Sequence, residues 1–349
     1  MNHTSSGSSG NHSSPGSSDS AFRSGPLPLS KALIGFTNAK LAEGLSQRTV
    51  DSYLEDLHKW VERTGDREIG KVTGADISAY LAWLRTEYIP HRFSGKTHPL
   101  SPKTIRNTWI AMSALFHWAE RELVLPSPMR EVRAPHSPRP PVPELTREEV
   151  ERMLKACTYT REAVSPIRRS FVTRRPTASR DIALLLVLLD TGIRASELCA
   201  LKVEDVDLKT GKVEIKHGVE GGAKGSKGRA VYLGKASRRA LWHYLSGRED
   251  GQDGEAPLFI VRNGRLMRPS TLRHLIIGLG QKVGVPKAYP HKLRHTFAIT
   301  YLRSGGDVFT LQQILGHASL DTVRIYARIA QSDVAQAHRK ASPVDNWRL

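Results

Sequence analysis

Between Lys31 and Met129 apolar residues recur at helical spacing. Val50, Tyr53, Leu54, Leu57, Trp60 and Val61 follow the i, i+3, i+4, i+7 pattern of an amphipathic helix. Ser46 or Thr49 can begin that helix and Gly65 can end it. Thr73 with Asp76 forms a capping-box pattern ahead of Ile77, Leu81 and Leu84. Ser101 followed by Pro102 is a cap with proline at the first helical position, and Ile105, Trp109, Met112 and Phe116 supply the stripe behind it. The pattern predicts a bundle of about four helices.

The stretch 134–143, with its dense prolines, predicts an extended connector and a domain boundary. Past it, Thr146 with Glu149 is another capping box. Ser179 is expected to cap an apolar helix over 181–189. Residues 212–216 and 229–233 alternate like two short strands around a Gly/Lys-rich turn. Helices are expected near 236–246, 270–283, 291–304, 307–315 and 321–330, punctuated by glycines. The fold class is therefore mainly α with a small β-sheet. The chain divides into a disordered tail (1–25), a helical domain (28–132), a Pro-rich linker (133–144), a second, α+β domain (145–340) and a C-terminal tail (341–349). Residues 1–25 hold too few apolar side chains to offset their ordering entropy.

Charge changes the picture. Lys and Arg number 52 against 34 Asp and Glu, a net +18. That excess favours a polyanion through counterion release, and no basic amphipathic helix points to a membrane surface. No apolar run is long enough to span a bilayer, the longest being 182–189. Two cysteines, Cys157 and Cys199, make no disulfide framework and fit a reducing cytoplasm.

Four segments of the second domain carry candidate chemistry. In TGIRASEL (191–198) a glycine breaks one helix and Arg194 opens the next, with Glu197 on the same face. Alone, such a pair reads as an ordinary surface ion pair. Lys224 and Lys227 sit on the hairpin turn, where lysines are usually solvated. In HKLRH (291–295) His291 and Arg294 share a helix face behind Pro290. His291 and His295 have the spacing of a metal pair, but Lys292 stands where a metalloprotease carries Glu, so a metal site is rejected. In LGHASLDTVRIY (315–326) Gly316 leaves His317 in a turn, and Tyr326 follows on the next helix. Tyr326 can equally be a core residue beside Val323 and Ile329.

Together the segments say more. Two arginines, two histidines and a lysine can surround one phosphate, with a tyrosine as attacking group. Fixed cations stabilise the charge that phosphoryl transfer builds on non-bridging oxygens. With two arginines and a lysine in place, no magnesium is called for. A phosphotyrosine ester stores the bond energy, so no ATP is needed either.

These segments, in this order (TGIRASEL, AKGSKGRAVYLG, HKLRH, LGHASLDTVRIY), resemble the phage integrase or Xer-type tyrosine recombinases over about 146–340. The resemblance implies a SAM-like core-binding domain followed by an integrase-type catalytic domain. It implies a site-specific recombinase that cuts double-stranded DNA at a specific target site through a 3′-phosphotyrosine and exchanges strands via a four-way junction. On this resemblance Arg194 and Arg294 bind the scissile phosphate, and His291 assists proton transfer. His317 bonds a non-bridging oxygen and Tyr326 is the nucleophile. Lys224 is the general acid, with Lys227 as its rival, and Glu197 orients the first arginine. The same resemblance implies a homotetramer on synapsed DNA, a cytoplasmic, nucleoid-associated location and no cofactor. The basic stretch 166–175 is either an extra DNA contact or a mobile loop. The rival readings are a type IB topoisomerase-like enzyme that relaxes DNA, and a non-catalytic DNA-binding protein.

Overall fold

The computed structural model describes residues 26–91, 97–138, 143–159, 173–216, 228–316, 323–327, 338 and 342–347. The chain forms two compact units, Met1–Pro140 and Pro141–Leu349. It is mostly helical, with one two-stranded antiparallel sheet. The tail 1–25, the segments 317–322 and 217–227, and all but 173–175 of the basic stretch lie outside the described residues. Among the described residues no helix is long and apolar enough to cross a membrane.

The first unit is built on four helices: α1 (Leu29–Ala42), α2 (Gln47–Thr64), α3 (Gly74–Thr86) and α4 (Pro102–Glu122). Their starts follow the caps written in the sequence. The Ser46 side chain accepts from Thr49 N–H, Thr73 and Asp76 close a reciprocal capping box, and Ser101 accepts from Thr104 N–H with Pro102 at the first position. Aromatic rings fill the space between helices. Trp60 meets Phe116 edge-on at 5.9 Å between centroids, and Phe36 meets Trp118 at 6.0 Å.

In the second unit α5 (Arg147–Thr158) starts at the Thr146–Glu149 box. It packs on α6 (Ala178–Thr191), which also packs against α8 (Lys235–Ser246) and α10 (Pro290–Arg303). Helix α6 is buried on nearly every side, so its apolar run needs no polar face. The expected cap at Ser179 is not formed: the N-cap lies two residues earlier, at Thr177, with no side-chain cap bond. The polar anchor of this turn is Asp181. Fully buried, it accepts from Thr177 Oγ1 at 3.0 Å and pairs with Arg175 at 3.0 Å and Arg180 at 2.7 Å. Arg175, from the basic stretch, is therefore an internal ion-pair partner.

The helix of α6 ends at Gly192, whose φ of 61° is left-handed. Arg194 then caps the short α7 (Ala195–Ala200). Strands β1 (Lys212–Ile215) and β2 (Arg229–Tyr232) pair with Val213 opposite Val231 and Ile215 opposite Arg229. Val213, Ile215 and Val231 are buried, so the alternation turns Arg229 toward the interior face. Helix α9 (Pro269–Lys282) leads to α10, and α11 (Val308–Leu315) ends at a second left-handed glycine, Gly316, with φ 63°. Residues 323–327 are helical, and a short helix, Pro343–Trp347, closes the described chain.

Gly192 has two reasons to be glycine. Its φ disfavours side chains, and an added Cβ would stand 2.2 Å from Phe297 Cδ1. Gly192→Ala should lower stability by about 2 kcal/mol or more, read as a shifted urea midpoint at unchanged slope. An unshifted midpoint would show that the turn tolerates a side chain.

Candidate active site

The last carbonyls of a helix have no partner within it. At the end of α11 three consecutive carbonyls, those of Ile314, Leu315 and Gly316, are each taken by an arginine from a different element. Arg229 Nε of β2 donates to Ile314 O at 2.7 Å. Arg294 Nη2 of α10 donates to Leu315 O at 2.7 Å. Arg194 Nη2 donates to Gly316 O at 3.1 Å. Arg294 also donates from Nη1 to Gly192 O at 2.6 Å, tying the end of α6 to the end of α11. Cations at a helix C-terminus are favoured by the helix dipole as well as by these bonds. Gly316 admits the arrangement sterically, since a Cβ there would lie 2.9 Å from Arg229 Nη1.

One buried carboxylate organises two of the three arginines. Glu197 accepts from Arg194 Nη1 at 2.8 Å and from the Arg194 N–H at 2.8 Å. It also accepts from Arg229 Nη2 at 2.8 Å and Nη1 at 3.1 Å. Its side chain is 0% exposed, so this is an internal bridge rather than the surface pair that its spacing suggests. Burial alone would raise the Glu197 pKa. The Arg229 hydrogen bonds, the Arg194 N–H and the guanidinium charges overcome that and hold it at about 2. Among the described residues the cluster thus carries three guanidinium groups to one carboxylate, an excess that suits an anion.

Helix α10 presents His291, Arg294 and His295 at i, i+3 and i+4, behind Pro290 at its first position. Arg294 is 3% exposed. Burial, then the neighbouring Arg194 charge, pulls its pKa down to about 10, which leaves it charged at neutral pH. His291 stands at the exposed edge. Its pKa is lowered first by the protein packed around it, then by Arg294, Arg194 and Arg273. His295 is lowered to about 4 by burial, then by His291 and Arg294.

The ring of Tyr326 is 3% exposed and packs with Ala298, Ile299, Leu302, Leu311, Leu315 and Val323. Its hydroxyl is not lost in that cluster: it lies 2.8 Å from His295 Nδ1. Burial raises the Tyr326 pKa, and the Arg294 charge works against the rise. The ring thus fits the core reading of this tyrosine, and the hydroxyl is the atom on which the reactive reading turns.

The structure brings Arg194, Glu197, His291, Arg294 and Tyr326 into one neighbourhood. Lys224, Lys227 and His317 lie outside the described residues. Sequence reasoning passed over two members. Arg229 had a signal: it alternates with Val231 on the inward face of a strand. His295 had only the helical spacing that was weighed for metal.

Residues 143–333 match the phage integrase family, and residues 33–124 match the N-terminal SAM-like domain of phage integrases. The tyrosine recombinase XerA of Thermococcus kodakarensis is 32% identical over 305 residues, 87% of this chain and 92% of that protein. The tyrosine recombinase XerC of Xylella fastidiosa is 29% identical over 310 residues, covering 88% and 95%. Among solved structures, the Tn1549 transposon integrase in complex with a circular intermediate DNA shares the fold with a TM-score of 0.67 at 20% identity. That match covers 89% of this chain and 98% of that one.

The depressed pKa of Glu197 has a stability consequence. Its ordinary value is 4.5 and its folded value about 2, so its ionised form stabilises the fold above about pH 4.5. That contribution, on the order of 3 kcal/mol, is lost as pH falls from about 4.5 toward 2. Glu197→Gln should be less stable than the wild type at pH 7, with the gap shrinking on acidification. Paired urea titrations across that range check this, and a gap independent of pH would contradict it.

Proposed function

This chain belongs to the phage integrase family and is a tyrosine recombinase, and we propose that it cuts and rejoins double-stranded DNA at a specific site through a 3′-phosphotyrosine at Tyr326. The observation that carries this reading is the gathering of Arg194, Arg294 and His291, with the Arg294 charge close enough to act on the buried phenol of Tyr326. In the proposed reaction the Tyr326 oxygen attacks phosphorus and the bond to the 5′ oxygen breaks. Arg194, Arg294 and His317 bear on the non-bridging oxygens, where charge develops. Guanidinium groups suit that task because they stay charged and bond in a fork. Lys224, with Lys227 as alternate, protonates the departing 5′ oxygen. Glu197 keeps Arg194 in position. His291 contacts the phosphate and assists proton transfer.

The covalent ester conserves the energy of the phosphodiester, so religation to a different strand calls for no cofactor. Strand exchange proceeds through a four-way junction within a homotetramer on two synapsed sites. The net charge of +18 supports binding to the DNA backbone.

The test begins with selection of a binding site from a random duplex library by the full chain. A suicide duplex carrying the selected site should then form a covalent adduct stable on a denaturing gel, and Tyr326→Phe should form none. No adduct with the wild type, or one retained by the phenylalanine variant, would sink the reading. Arg194→Ala should slow adduct formation by about 100-fold or more while weakening DNA binding much less. Equal losses would make it a binding residue only. Relaxation of plasmids that lack the selected site would favour a topoisomerase-like activity instead.

A further inference from the structure

The hydroxyl of Tyr326 has a protein partner that none of the roles above uses. His295 Nδ1 stands 2.8 Å from it, with the two rings 5.6 Å apart between centroids and tilted by 50°. Both side chains are held from behind. His295 lies mid-helix in α10, and the tyrosine ring is fixed among Ala298, Leu311 and Val323. His291, one turn earlier on α10, is 6.2 Å from His295 between centroids and sits nearer to solvent.

Resting on the assignment of Tyr326 as nucleophile, we infer that His295 both orients the phenol and takes its proton as the oxygen attacks phosphorus. The atoms balance. The Tyr326 O–H bond breaks and its proton moves to His295 Nδ1. The bond from the phenol oxygen to phosphorus forms, and the bond to the 5′ oxygen breaks. That oxygen is protonated by a separate acid. On religation the 5′ hydroxyl returns its proton to that same separate group as it attacks phosphorus, the bond from phosphorus to the phenol oxygen breaks, and that oxygen recovers its proton from His295.

The electrostatics fit this task. Facing His295 among the described residues are His291 and Arg294 from its own helix and Tyr326 from the segment 323–327. Burial and the first two keep the ring neutral, and in the tautomer protonated at Nε2 the Nδ1 lone pair faces the phenol. A neutral imidazole accepts a proton only where that proton is stabilised. A DNA phosphate arriving beside Arg294 brings the negative charge that offsets those cations and raises the ring's proton affinity. The histidine therefore becomes a stronger base when substrate is bound. In the empty site it is neutral and serves as the hydrogen-bond acceptor that aims the phenol.

The experiment uses the full chain and the suicide duplex bearing the selected site. His295→Ala should slow adduct formation by about 100-fold or more with DNA affinity within about 2-fold. His295→Asn can still accept a hydrogen bond near the Nδ1 position but cannot carry the proton, and it should remain slow. It also serves where the alanine variant fails to fold. A duplex whose bridging 5′ oxygen is replaced by sulfur needs no proton on its leaving group. That substitution should rescue a lysine variant impaired as general acid and leave both histidine variants slow. Wild-type rates in His295→Ala, full recovery in His295→Asn, or rescue of either by the 5′ sulfur would overturn the inference. A wild type that forms no adduct would instead overturn the assignment of Tyr326, and this inference with it.

Discussion

The site depends on the carbonyl end of one helix. Helix α11 stops at Gly316 and leaves Ile314, Leu315 and Gly316 with carbonyls that its own backbone does not bond. Arg229, Arg294 and Arg194 come from β2, α10 and the start of α7 to meet them. Each arginine thereby acquires a fixed direction before any ligand arrives. Guanidinium groups close to one another repel, and that repulsion is tolerated because helix-end carbonyls and Glu197 lie among them. Unfolding α11 would take one anchor from each of the three arginines at once, so the geometry of the site is tied to the stability of this part of the fold.

How much of this was legible along the chain differs by element. Caps made by residues three apart, such as Thr73 with Asp76 and Thr146 with Glu149, are local events, and the structure forms them as the pattern predicts. Ser179 misled because a serine near a helix start is a cap only if its backbone is outside the helix. Here Asp181, drawn inward by Arg175 and Arg180, sets the turn two residues on. Glu197 looked like half of a surface pair because i, i+3 spacing says nothing of burial. Its second partner, Arg229, is 32 residues away in sequence, and the carbonyl that Arg229 reaches is 85 away. Contacts of that range follow from strand register and helix packing, which a one-dimensional period does not contain.

His295 was hidden by a different cause. Two histidines at i, i+4 fit a metal pair, and dismissing the metal left the second ring without a task. Its partner, Tyr326, is 31 residues on and reaches it only because α10 and the 323–327 segment share a small apolar cluster. The same cluster makes the proposed role of Tyr326 compatible with a place in the core. The ring supplies packing while the hydroxyl stands at the polar rim beside α10.

The depressed pKa of Arg294 points in the same direction as the crowding of cations around it. Among the described residues, Arg294 is buried with two further guanidinium groups, those of Arg194 and Arg229, near it and the carboxylate of Glu197 among them. In the proposed reaction an entering phosphate supplies counter-charge to these arginines, and more of it as phosphorus becomes five-coordinate and its oxygens gain charge. The protein need not reorganise at that moment, since its dipoles and cations were fixed when α11 was capped. On that proposal, work done during folding is returned during the reaction, by the arginines that hold the helix end.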